Sequence, residues 1–80
     1  MARQLRLEIT FLSTLQKVAG CEMTWLLLPQ RATVAQALAL LRERLPQFVG
    51  VPVVANVNGV PALSSKELGP GDGLFLLPPA

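Results

Sequence analysis

The chain has 80 residues, 51% of them hydrophobic, and a formal net charge of +2, so residues 1–80 fit one small domain and exclude an enzyme with separate cofactor and substrate domains. The hydrophobic content is too high for a disordered chain, and the apolar runs are too short for a membrane-spanning helix. With one cysteine, no histidine and five carboxylates, the composition predicts neither an internal disulfide nor a catalytic metal cluster, and we expect no cofactor.

The charge pattern argues against a nucleic-acid partner, and the short apolar runs give no reason to expect a membrane partner. The seven basic residues are scattered, and the longest charged run is Arg42-Glu43-Arg44. Nucleic-acid binding needs denser positive charge and more aromatic surface for base stacking. The first residues lead directly into a strand pattern without an apolar signal core, so we expect a cytoplasmic protein.

The clearest element is an N-terminal strand with one buried and one solvated face. Its apolar side chains recur with period two, the spacing of a strand: Leu5, Leu7, Ile9 and Phe11. Residues 12–20 then fit one or two helical turns that end at Gly20, which can adopt a left-handed cap.

A second strand is predicted over Glu22–Leu28 and is stopped by Pro29. Strands joined by such a short link usually pair as neighbours. Trp25 within it is expected in the core or half-buried at the sheet edge. Cys21, just before the strand, has no histidine or adjacent cation to activate its thiol and is interpreted as incidental.

The main helix is predicted to begin at Thr33 and to be stopped by Pro46. Thr33 and Gln36 have the spacing of a capping box, in which each side chain bonds the backbone N–H of the other residue. The expected buried stripe is Val34, Ala37, Leu38, Leu41 and Leu45, and the residues expected to face water are Gln36, Arg42, Glu43 and Arg44.

The second half of the chain predicts three strands. The first covers Val51–Asn58, with Val53, Ala55 and Val57 on one face, and Asn58-Gly59 is a strong turn signal before a short return strand at Val60–Leu63. A capped turn at 64–68 and a glycine-rich bend at 69–73 follow. The bend lacks the lysine and the following helix of a phosphate-binding loop, so it is interpreted as a turn.

The final strand, Leu74–Leu77, is apolar at every position and is therefore expected to be buried on both faces in the middle of the sheet. Pro78 and Pro79 cannot continue the ladder because proline has no N–H. Either they only end the strand, or they form a stiff tail suited to delivery into a partner's groove.

The predicted order is β, β, α, β, β, β. The compact arrangement for this order is an α+β domain: a mixed sheet of about five strands with one main helix packed across it, and the last strand lying centrally and parallel to the first. This is the layout of the β-grasp, or ubiquitin-like, fold.

The order and spacing of several segments resemble the MoaD/ThiS family, whose members include the small, sulfur-carrier subunit of molybdopterin synthase. The segments are Phe11-Leu12-Ser13-Thr14-Leu15 with Gly20, Thr33-Val34, residues 40–46, Val57-Asn58-Gly59, Gly71-Asp72-Gly73 and Leu76-Leu77-Pro78-Pro79. The length and the double proline favour the molybdopterin branch over the thiamin carrier.

The resemblance implies a non-catalytic co-substrate rather than an enzyme. Family members are adenylated at their C-terminus by an E1-like enzyme, converted to a thiocarboxylate and inserted into a large synthase subunit. They meet partners through an apolar sheet patch, and the matching positions here are Leu12, Pro61 and Leu77, followed by the tail Pro78, Pro79 and Ala80.

The sequence departs from the family pattern at its last residue. The family continues past the double proline to Gly-Gly, whereas this sequence is given to Ala80. Two interpretations stay open: a sulfur carrier whose tail extends further, or a docking subunit that binds a partner enzyme without carrying sulfur. Ubiquitin-like conjugation would need the same diglycine.

Overall fold

Five strands and two α-helices make up the computed structural model, which describes residues 4–79. The strands are β1 (Gln4–Phe11), β2 (Met23–Pro29), β3 (Val54–Val57), β4 (Val60–Pro61) and β5 (Gly73–Leu77), and the helices are α1 (Leu15–Ala19), α2 (Val34–Arg44) and the 3₁₀ helix Pro46–Phe48. The strands form one sheet in the order β2-β1-β5-β3-β4.

The strand directions confirm the predicted β-grasp architecture. β1 pairs antiparallel with β2, and β5 lies between β1 and β3, parallel to β1 and antiparallel to β3. The last strand is therefore central and parallel to the first, as the order of elements predicts. The connection between β2 and β3 carries α2 across one face of the sheet.

The core lies between the sheet and α2. The odd-numbered apolar residues of β1 are almost fully buried, as are Val34, Ala37 and Leu41 on α2. Phe11 and Phe48 stack with ring centroids 5.3 Å apart, which closes one end of the core. An aromatic pair of this kind adds about 1 kcal/mol beyond the area it buries.

The capping box at the start of α2 is confirmed. The Thr33 hydroxyl accepts from the Gln36 N–H at 3.3 Å, and the Gln36 side-chain oxygen accepts from the Thr33 N–H at 2.8 Å. The N–H groups of Val34 and Ala35 donate to carbonyls in the loop of residues 64–66. The first helical turn is thus satisfied by its own cap and by the loop that precedes β5.

Three expectations are corrected. Arg42 does not face water: its guanidinium donates to the carbonyls of Phe48 and Val51, at 3.2 and 3.0 Å, and holds the chain that leaves α2. The strands predicted at 51–58 and 60–63 are shorter, because few residues there find a ladder partner. Finally, β5 is fully buried on one face only, since Phe75 and Leu77 point to the opposite face and stay half-buried.

No helix within residues 4–79 is both long enough and apolar enough to cross a membrane.

Candidate protein-binding site on the open sheet face

Within residues 4–79, no layer of helices covers the face of the sheet opposite α2, and we call it the open face. Because the odd-numbered residues of β1 fill the core, its even-numbered residues point to the open face. The strand register places Thr10, Phe75, Asn56 and Pro61 in one row across β1, β5, β3 and β4. Side chains in such a row lie close enough to act as one surface.

The next row brings two of the predicted binding residues together. Leu77 is paired with Val54, and Leu12 follows β1 with its N–H donating to the Leu76 carbonyl at 3.0 Å. Leu12 also lines a shallow depression of the open face together with Thr10 and Phe75. The predicted residues Leu12, Pro61 and Leu77 therefore lie on two adjacent rows.

These rows contain a group of five apolar side chains, interrupted in one row by Asn56, and we call this group the β5 patch. It consists of Leu12, Val54, Pro61, Phe75 and Leu77. Pro61 and Val54 are exposed and the other three are half-buried. Apolar side chains grouped on a solvated face are typical of a protein interaction site.

The tail residues follow directly from this patch. Pro78 is half-buried and Pro79 is exposed, and neither continues the strand. Ala80 lies outside the described residues. The chain therefore leaves β5 at the edge of the β5 patch.

Sequence reasoning missed Phe75 and Val54 as members of this surface. Both are apolar residues in short apolar segments, where no alternation with polar residues reveals which side faces out. The pairing of β5 with β1 reveals that Phe75 faces outward, because the parallel register aligns Phe75 with the outward-facing Thr10.

A side-chain clasp fixes the loop before β5 against the turn between β3 and β4. Asn58 donates to one carboxylate oxygen of Asp72 at 2.9 Å and accepts from the Gly73 N–H at 2.8 Å. The other oxygen of Asp72 accepts from the Gly69 N–H at 2.7 Å. Asn58 has a φ of 53° and Gly59 a φ of 84°, the left-handed pair that a two-residue hairpin turn requires. The glycine-rich bend is therefore a turn held by Asp72.

The hydrogen bond from the Gly69 N–H, followed by that from Asn58, lowers the pKa of Asp72 below its ordinary value. The ionised carboxylate therefore stabilises the fold above the unfolded-state pKa of about 3.9. This stabilisation is lost as the pH falls through the lower folded-state value.

Replacing Asp72 with asparagine is expected to lower the free energy of unfolding at pH 7 by about 1 kcal/mol, because an amide NH₂ replaces one of the two acceptors. The deficit should shrink as urea unfolding is repeated from pH 5 to pH 3. Glu43→Gln, which removes an exposed carboxylate from α2, is the control and should stay within about 0.5 kcal/mol of the parent. A deficit that is unchanged at pH 3 would show that the charge of Asp72 does not stabilise the clasp.

No group of three or more histidine, cysteine or acidic side chains within residues 4–79 is arranged to hold a metal ion. Cys21 is exposed in the turn before β2.

No protein-family model matches the sequence, and no curated protein matches it. Several solved structures do match the chain. Small archaeal modifier protein 1 from Haloferax volcanii superposes with a TM-score of 0.86 at 26% identity, covering 95% of this chain and 99% of that one. The fold that the resemblance to the MoaD/ThiS family implies is confirmed.

Two further structures share this MoaD/ThiS-like fold. A Pyrococcus furiosus protein assigned as molybdopterin converting factor subunit 1 gives a TM-score of 0.88 at 21% identity, with 95% of this chain and 99% of that chain covered. The Helicobacter pylori complex of subunits 1 and 2 of molybdopterin-converting factor gives 0.66 at 22% identity, with 95% and 96% covered. At these identities the two structures establish the fold alone.

Proposed function

We propose that this MoaD/ThiS-like protein is a sulfur-carrier-type small subunit of molybdopterin synthesis, which binds a larger synthase subunit through the β5 patch. Its contribution is a docking surface and a C-terminal tail. The catalytic groups belong to its partners, so the protein acts as a co-substrate.

The observation that supports this proposal is that the chain leaves the sheet within the β5 patch itself. Leu77 is both the last residue of β5 and a member of the β5 patch, and Pro78 follows it immediately. A partner that covers Leu12 and Leu77 therefore lies next to the departing tail. Proline also restricts the conformations of this tail, so less entropy is lost when the tail enters a groove.

The sheet supports the exit point rigidly. β5 is bonded on both sides, to β1 and β3, and the Leu12 N–H holds the Leu76 carbonyl one residue before the exit. The clasp of Asn58 and Asp72 fixes the other end of the same strand. A tail anchored on a rigid element can deliver its terminus to a fixed point in a partner, which is the requirement for group transfer.

Carrier chemistry would occur at a terminal carboxylate beyond the described residues. An E1-like enzyme would activate this carboxylate by adenylation, and a donor of sulfur at the oxidation level of sulfide would then displace AMP to form a thiocarboxylate. Inserted into the large subunit, the thiocarboxylate would donate its sulfur to the pterin precursor. The H. pylori complex of subunits 1 and 2 supports a large-subunit partner for a protein of this fold.

Binding to a molybdopterin-synthase large subunit tests the docking half of the proposal. We expect saturable binding in calorimetry, with backbone NMR shifts concentrated at Leu12, Phe75 and Leu77 in the ¹⁵N-labelled chain. Amides on the outer surface of α2 serve as the internal control and should move little. Binding that shifts α2 and leaves β5 unchanged would overturn the assignment of the surface.

A further inference from the structure

The opposite edge of the sheet carries a second feature that the β5 patch does not use. β2 is an edge strand of seven residues, paired with β1 on one side only. Natural edge strands are usually protected by lysines, prolines or bulges, because unpaired backbone groups attract another strand. Over residues 23–28, β2 contains none of these, and Pro29 stands only at its end.

The ladder register shows which backbone groups are unpaired. The Phe11 N–H donates to the Glu22 carbonyl at 2.8 Å, so position 22 turns its hydrogen-bonding groups toward β1. Antiparallel ladders alternate between inward and outward groups. The N–H and C=O groups of Met23, Trp25 and Leu27 therefore point away from the sheet, toward the place of an additional strand.

The same three residues place large apolar side chains on the open face. Their exposed fractions are 39% for Met23, 46% for Trp25 and 56% for Leu27. Trp25 lies at the sheet edge, one of its two expected positions, but it is exposed rather than half-buried. Its ring is covered on one side by Arg6, whose guanidinium carbon lies 4.3 Å from the ring centroid. An incoming strand would find both backbone partners and apolar contacts here.

Positive charge flanks this edge from both faces of the sheet. Arg6 projects from the open face of β1, and Arg44 ends α2 on the other face, yet both line one cleft of about 470 Å³ with Trp25, Leu26 and Leu27.

Neither arginine of this cleft has an acidic partner. Within residues 4–79 the ion pair found is Arg31 with Glu67, at 3.0 Å. Glu8 lies one row from Arg6 on the open face without pairing with it. The cleft therefore has two cations available to a ligand.

We propose that the free edge of β2 binds an extended acidic peptide segment of a partner protein by strand addition. The segment would form ladder bonds with Trp25 and Leu27 and place carboxylates near Arg6 and Arg44. A second copy of this chain fits the edge less well, because pairing β2 with itself gathers two Arg6 and two Arg44 side chains around one strand pair. The site lies at the opposite edge from the β5 patch, and it does not depend on the function proposed above.

The test uses a fluorescein-labelled synthetic peptide with a central Val-Ile-Val-Ile segment and three glutamates at each end. Fluorescence anisotropy should show saturable binding that weakens steeply with added salt. Trp25 is the single tryptophan of the chain, so its emission should change on addition of unlabelled peptide. A peptide with lysines in place of the glutamates and an acidic peptide with a central proline are the matched controls, and neither should bind.

Two pairs of variants separate backbone recognition from charge. Leu27→Pro removes one outward N–H and keeps the inward ladder, so it should weaken binding at least about tenfold relative to Leu27→Ala, which loses the side chain alone. Arg6→Glu and Arg44→Glu should each weaken binding about tenfold, whereas Arg31→Glu, with the same change in net charge, should weaken it less than about threefold.

Several results would overturn this site. Equal binding of the lysine peptide, or equal affinities of Leu27→Pro and Leu27→Ala, would exclude acidic strand addition. Concentration-dependent dimerisation that the peptide does not displace would assign the edge to a second copy instead. If Leu27→Pro fails to fold by circular dichroism, the arginine reversals decide alone: an affinity loss no larger than that of Arg31→Glu would overturn the proposal.

Discussion

Replacing Leu77 with aspartate is expected to weaken binding to a molybdopterin-synthase large subunit at least about thirtyfold, equivalent to roughly 2 kcal/mol. Leu77 belongs to the β5 patch and lies beside Val54, at the point where the chain leaves the sheet. A carboxylate there must lose its water when the partner docks, and it finds no cation in the same row. Leu12→Asp should have a similar effect, because Leu12 lies next to Leu77.

Two exposed aliphatic residues outside the patch provide matched controls. Val49 is 68% exposed after the 3₁₀ helix, and Leu27 is 56% exposed on the open face but at the other edge. Val49→Asp and Leu27→Asp should each change the affinity less than about threefold, or about 0.7 kcal/mol. Thermal unfolding of every variant checks the fold. If folded Leu12→Asp and Leu77→Asp bind like the parent, the β5 patch is not the docking surface.

Extending the chain by Val-Ser-Gly-Gly after Ala80 is expected to allow complete conversion of the C-terminal carboxylate to a thiocarboxylate, which the chain ending at Ala80 should not undergo at all. A polypeptide that ends at Ala80 places its carboxylate three or four residues short of the family's reacting glycine, on the order of 10 Å in an extended chain. A misplacement of about 1 Å can already cost a hundredfold in rate. The polypeptide that ends at Ala80 should therefore gain no sulfur with an E1-like enzyme, ATP and a sulfur donor.

Intact mass spectrometry measures the outcome as one exchange of oxygen for sulfur at the terminus. The control is a Val-Ser-Ala-Ala extension of equal length, which should stay unmodified because the methyl groups of alanine obstruct a channel shaped for bare backbone. Sulfur on the polypeptide that ends at Ala80 would refute the role given to the tail. An extended chain that binds its partners and remains inert would identify a docking subunit that carries no sulfur.

The elements with a strong local signal were predictable from sequence. The alternation over Leu5–Phe11, the capping box at Thr33 and the turn at Asn58-Gly59 all occur as expected. The capping box and the turn depend on interactions within a few residues, and the alternation of β1 is a local pattern even though its partner strands are distant in the sequence. The central position of β5 also followed, because the crossover helix leaves few compact ways to add the last strands.

The residues of the open face were harder to predict, because several of them are as apolar as the residues of the core. Phe75 and Leu77 are apolar, like the core residues Leu74 and Leu76, so only the pairing with β1 reveals which pair faces out. Arg42 is expected to face water because charged side chains on a helix are usually exposed to solvent. The carbonyls of Phe48 and Val51 that it binds come from a segment whose path is a tertiary feature.

The parallel pairing of β1 and β5 also determines how the domain resists force. Tension applied between the start of β1 and the end of β5 would slide these neighbouring strands past each other. The register pairs from Glu8 with Gly73 to Phe11 with Leu76 would then be loaded in shear, together, rather than peeled apart one at a time like the β3–β4 hairpin. Force applied to the tail while the start of β1 is held would therefore have to break these ladder bonds together before β5 left the sheet.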